Sequence, residues 1–221
     1  RSTLFPYTTL FRSLRYNLAH QVTLLCLDPV SGRVRRRADL ALVAAGGALA
    51  ELAFQERVGL VDKKVKVYDE RPTQDPLLDV MLQVLAGQSD RRPSRILTAA
   101  RGTYLKQALA ELVANGWVSL QPAHRFRGDR YHVLDKQRLE RIRELVTAGV
   151  TDPAGAPARA AFLAGMAFDL ALIKELAPQL KLLQRMRIAR ELRERDWVVK
   201  AVNEVIVARR VAATAAASAN G

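Results

Sequence analysis

The chain has one cysteine, Cys26, in 221 residues, so no internal disulfide can form and a reducing compartment, the cytosol, is expected. Cys26 lies in the apolar run Val22 to Leu27 and reads as a small buried hydrophobe. No stretch approaches the ~20 uninterrupted apolar residues that a spanning helix needs, and the start has no apolar signal-peptide core. Neither export nor a membrane-spanning segment is expected. Acids are scarce: 22 Asp and Glu stand against 35 Lys and Arg, for a net charge of +13. Such a surface attracts polyanions, and the attraction weakens with salt, so nucleic acid and anionic membrane are both admissible partners.

Enzyme signatures are missing as well. The sequence holds no GxxxxGK phosphate loop, no G-x-S-x-G elbow, no H-E-x-x-H and no paired cysteines for zinc. Its three histidines, His20, His124 and His132, have no carboxylate or cysteine at ligand spacing. No catalytic residue, metal or cofactor is assigned, and an enzyme is not expected.

What the sequence does have is apolar periodicity. Hydrophobic residues make up 49% of the chain and charged residues 26%, the profile of a mainly α protein, and the length suits a single compact helical domain. Arg1 to Ser13 reads as a translated sequencing adapter and is set aside; without Arg1 and Arg12 the net charge falls from +13 to +11. The domain is expected over 14–211, with 212–221 as a flexible tail.

The spacing predicts a first helix over Tyr16 to Leu27, stopped by Asp28-Pro29 and a Ser31-Gly32 turn. A buried helix follows over Leu40 to Phe54, N-capped by Asp39, with Gly46-Gly47 permitting close packing. Val58 to Val61 and Lys64 to Tyr68 alternate as a hairpin. Asp75 is expected to cap a helix from Pro76 to Ala86, and another runs from Ser94 to Ala114, leaving through Asn115-Gly116. Trp117 to Leu120 and Tyr131 to Leu134 make the second of two short β-hairpins. Further helices are expected over Asp135 to Ala148, Ala158 to Leu176, Leu180 to Arg195 and Trp197 to Val211. In Leu180 to Arg195 the apolar residues Leu182, Leu183, Met186, Ala189 and Leu192 share one face.

Four arginines in five residues, Arg33, Arg35, Arg36 and Arg37, precede the buried helix. They are either a solvated turn or an anion site, since guanidinium groups match phosphate oxygens bidentately and a helix N-terminus points N–H donors the same way. Other basic groups include Arg101 and Lys106 on one helix, and the loop Arg125-Phe-Arg-Gly-Asp-Arg130. The set from Lys181 to Arg195 is interleaved with Glu191 and Glu194 and reads as a solvated face.

Several segments, in order, resemble the Golgi phosphoprotein 3 family over about Leu14 to Val207. They are Leu24-Leu-Cys-Leu-Asp-Pro-Val-Ser-Gly32, the small-residue helix ending Ala50-Glu-Leu-Ala53, and Arg71-Pro-Thr-Gln-Asp-Pro-Leu-Leu-Asp79, where Gln74 replaces the family's Gly. Leu112-Val-Ala-Asn-Gly-Trp-Val118, Ala161 to Pro178 and Asn203-Glu-Val-Ile206 complete the match. The resemblance implies a monomeric helical domain, at most weakly oligomeric, docked peripherally on the cytosolic face of a membrane. Its basic face would hold phosphatidylinositol 4-phosphate or another anionic phospholipid. The family's pocket is not retained residue by residue: its Trp falls at Arg36 or Arg37, and three of its Arg fall at Ala45, Gly102 and Leu105. The headgroup site is therefore expected at Arg33, Arg35, Arg36, Arg37, Arg101 and Lys106. The family's apolar hairpin tip is replaced by Arg125, Phe126, Arg127 and Arg130, expected to lie on the membrane surface.

Two other readings stand beside this one. Ser94 to Ala114 with the hairpin after it could form a winged-helix nucleic-acid binder, and the arginine cluster could grip acidic protein tails.

Overall fold

The computed structural model describes residues 17–123 and 128–219. The adapter-like segment lies outside these, as do Tyr16, His124, Arg125, Phe126 and Arg127. Within the described residues the chain is mainly α, with two small antiparallel hairpins.

The centre of the molecule is α2, Arg37–Phe54, buried almost continuously from Leu40 to Leu52. Its glycines explain how neighbours reach it. A Cβ on Gly47 would sit 2.6 Å from the backbone nitrogen of Ala19, and one on Gly46 would sit 2.5 Å from Val202. Thus α1, Leu18–Leu25, and α9, Trp197–Ala219, both pack at distances that only glycine allows. Around α2 lie α3, Pro76–Gly87, and α4, Pro93–Ala114. Beyond them come α5, Lys136–Thr151, α6, Ala158–Asp169, the single turn α7, Ile173–Leu176, and α8, Leu182–Arg195. Hairpin β1–β2 pairs Val58–Val61 with Lys64–Val67, and β3–β4 pairs Val118–Gln121 with Arg130–Val133.

The Thr73–Asp79 stretch is scaffold. Asp75 Oδ1 accepts from the N–H groups of Leu77 and Leu78 at 3.0 and 3.3 Å, while its Oδ2 accepts from Asn17 Nδ2 at 2.8 Å. Asp79 Oδ1 accepts from both the backbone N–H and the hydroxyl of Thr73. One short motif thereby caps α3 and fastens it to the start of α1. Gln74 sits at φ +65°, the left-handed region that glycine enters freely. The interior also holds a carboxylate: Glu51 is ion-paired with Arg159 and accepts the N–H of Leu18 at 3.2 Å.

Four expectations are corrected. Asp39 is not the N-cap of α2; Arg36 takes that position at φ +50°, and Asp39 lies in the first turn. The helix expected over Ala158 to Leu176 is broken after Asp169. Ala171 turns left-handed at φ +57°, its N–H bonding to Phe168 O and that of Leu172 to Ala167 O, which closes α6 as a glycine usually would. The break lets both Leu170 and Leu172 turn inward. The last helix runs to Ala219, past the expected end at Val211. Finally, the apolar face of α8 is not all core: Ala189 and Leu192 are buried, but Leu182, Leu183 and Met186 are exposed.

Candidate functional site

The arginine cluster occupies a turn whose shape follows from its neighbours. Asp28 Oδ1 accepts from the N–H groups of Val30 and Ser31 at 3.1 and 2.7 Å, and Gly32 takes φ +65°. These bonds, the Ser31 N–H first, hold the Asp28 carboxyl below its usual range. Leu27 and Val34 bridge across the turn. The second hairpin is docked on it: Tyr131 N–H donates to Gly32 O at 2.7 Å and Arg130 Nη1 to Ser31 O at 3.0 Å. His132 lies so close to Gly32 that a Cβ there would be 2.9 Å from its ring. Arg130 and the turn expected as the anion site therefore lie side by side.

Within the cluster the four arginines have different jobs. Arg35 is a clamp: its guanidinium bonds Glu175 of α7 at 2.5 Å and lies 4.0 Å from Asp28. Arg33, Arg36 and Arg37 are exposed, and among the described residues none has a carboxylate partner. They surround the start of α2, where no described side chain caps the free N–H groups. The one acid in that first turn, Asp39, is already covered by Arg210 Nη2 at 2.8 Å and Arg209 Nη1 at 3.6 Å. Sequence reasoning missed Arg209 and Arg210, because they reach Asp39 only through the antiparallel packing of α9 on α2.

Arg101 and Lys106 are exposed on the outer side of α4. Among the described residues, no hydrogen bond or ion pair joins either to the arginine turn. The positions that carry the resemblance's missing arginines explain the departure. Ala45 is fully buried and Leu105 nearly so, while Gly102 faces open space.

No group of three or more His, Cys, Asp or Glu among the described residues could hold a metal ion. His20 is a core residue, bonded to Glu111 at 2.9 Å and set edge-on to Trp117. Burial pushes the Cys26 thiol up to about 12, so it stays neutral. A separate cleft of about 260 Å³ is lined by Lys63, Arg92, Trp197 and Lys200, with Glu204 among them.

These features define a class: a helical domain with a cationic end, built where the first turn of its central helix meets a docked hairpin. The model for the Golgi phosphoprotein 3 (GPP34) family matches residues 18–209, and the chain belongs to that family. No curated protein matches it. No described helix is long and apolar enough to cross a membrane.

Proposed function

We propose that the chain is a peripheral membrane protein that binds anionic lipid headgroups, phosphatidylinositol 4-phosphate among them, through this cationic end, without catalysis. The observation that carries the reading is the gathering of Arg33, Arg36 and Arg37, exposed and free of carboxylates, around an uncapped helix start beside Arg130. A phosphate set there would meet guanidinium donors and N–H groups together. Family membership supports the same reading. Arg125, Phe126 and Arg127, outside the described residues, would join the cationic end at the membrane surface, while Arg101 and Lys106 add to the field and not to the contact.

The membrane face would be the cytosolic one, and acidic protein tails are a second class of ligand for the same guanidinium groups. The test is co-sedimentation of the chain with liposomes of phosphatidylcholine alone, with added phosphatidylglycerol, or with added phosphatidylinositol 4-phosphate. Binding should appear only with acidic lipid and weaken as salt rises. Equal binding to neutral and acidic liposomes would sink the proposal. Preference for the phosphoinositide over phosphatidylglycerol at matched charge would establish headgroup specificity. Tight, salt-sensitive binding to duplex DNA without liposome binding would move the function to nucleic acid.

A further inference from the structure

Leu182, Leu183 and Met186 are 70%, 79% and 62% exposed, although they lie on the same broad face of the helix as Ala189 and Leu192, which are buried further along it. Three large apolar side chains within five residues form a patch that no described residue covers. The charged residues beside them are all cationic: Lys181 and Arg187 are exposed and Arg185 half-buried, with the neutral Gln184 among them, while Arg190 further along is paired with Glu194. No acid occurs between Glu175 and Glu191. Leucines ringed by long cationic side chains match the boundary between headgroups and acyl chains, where the stems lie along apolar surface and the charges meet phosphate.

The placement of α8 points the same way. Its start is tied to the arginine turn, because Arg35 bonds Glu175 and only six residues lie between Glu175 and Leu182. Even fully extended, that chain spans about 25 Å. Its far end is tied to the same region: Arg193 pairs with Asp169 at 3.0 Å, and Arg210 joins the Asp169 carbonyl to Asp39 in the first turn of α2. The backbone of the first turn is held in place as well, since Gln184 Oε1 accepts the Lys181 N–H at 2.8 Å.

We infer that Leu182, Leu183 and Met186 are an insertion element that enters the acyl boundary of an anionic membrane while the arginine turn holds headgroups. This inference rests on the lipid-binding reading above and adds a second, apolar contact to it. It also supplies what the basic hairpin loop does not, since Arg125, Arg127 and Arg130 favour the headgroup layer. A second copy of the chain is the competing occupant, but three side chains fall well short of the ~800 Å² per partner of a stable dimer.

The experiment uses the full chain and liposomes of phosphatidylcholine with or without phosphatidylglycerol. Leu182→Ser/Leu183→Ser/Met186→Ser should bind acidic liposomes at least tenfold more weakly than the parent, since each buried leucine contributes roughly tenfold. In parallel, Met186→Cys carries a polarity-sensitive fluorophore; Cys26 stays unlabelled because its thiol is buried and held protonated. The label should report an apolar environment on acidic liposomes and an aqueous one without them. Undiminished binding by the triple variant, with the label still in water, overturns the insertion element and leaves headgroup binding standing. Self-association that disappears in the triple variant assigns the patch to a second copy and overturns it too. Failure of the parent to bind any acidic liposome removes both readings.

Discussion

The structure divides the arginine cluster into one guanidinium clamped to Glu175 and three exposed ones, the proposed binding set, and the two roles can be separated by mutation. Arg33→Ala/Arg36→Ala/Arg37→Ala removes three exposed guanidinium groups that have no carboxylate partner among the described residues. Each basic group at an anionic surface contributes about 1 kcal/mol, so the triple variant should lose about 3 kcal/mol, or roughly 150-fold in liposome affinity. Thermal stability should not fall, because the three side chains hold nothing together. Arg35→Gln/Glu175→Gln does the reverse. It leaves the net charge unchanged but deletes the tie between the turn and α7, whose partners are 25% and 52% exposed. An ion pair this open contributes no more than about 1 kcal/mol. For a chain of this size that is a fall in Tm of roughly 2–4 °C. Co-sedimentation with phosphatidylglycerol liposomes measures the first property and calorimetry the second. Equal weakening of lipid binding by the two variants would show that the turn's conformation matters and not its free guanidinium groups. A triple variant that binds like the parent would refute the site.

Three further outcomes concern the scaffold. Arg159→Met should destabilise the fold by about 3 kcal/mol, since it strands the nearly buried Glu51 carboxylate, and Glu51→Gln/Arg159→Met should recover much of this in a calorimetric comparison. Gln74→Gly should stabilise by about 0.5–1 kcal/mol in urea unfolding, because a side chain at φ +65° is strained and glycine there is not. Asp169 has its carboxyl raised by burial, which Arg193 and Asn203 only partly offset. Its folded state holds the proton more firmly than the unfolded chain does, so its contribution to stability declines as pH climbs from about 4. The stability of Asp169→Asn relative to the parent should therefore improve over that climb, and a flat or falling difference curve would contradict the shift.

Most of the helices and both hairpins were legible because local chemistry decides them. Asp75 before Pro76, Asn115-Gly116 after α4 and the alternation of Val58 to Val67 each act within a few residues, and each is where it was expected. The misses lie where distant packing overrides a local signal. Nothing in Leu170-Ala171-Leu172 marks a stop; the helix ends there because two leucines are buried by turning, and an alanine accepts the left-handed conformation that this requires. Asp39 has the composition of an N-cap but serves instead as the acid met by Arg209 and Arg210, two residues far away in sequence.

The site was half legible for the same reason. A run of four arginines is visible, but the bond from Arg35 to Glu175, 140 residues on, is not, and it separates one structural guanidinium from three available ones. Helix α8 teaches the complementary lesson. Periodicity reports that Leu182, Leu183, Met186, Ala189 and Leu192 fall on one broad face; it cannot report how far the covering layer extends. Here cover ends at Ala189, so the same apolar pattern is core in its second half and open surface in its first. The neighbouring charges decide between an idle surface and a working one. A stripe flanked by Lys181, Arg185 and Arg187, with no acid from Leu176 to Arg190, suits an anionic bilayer better than a protein core.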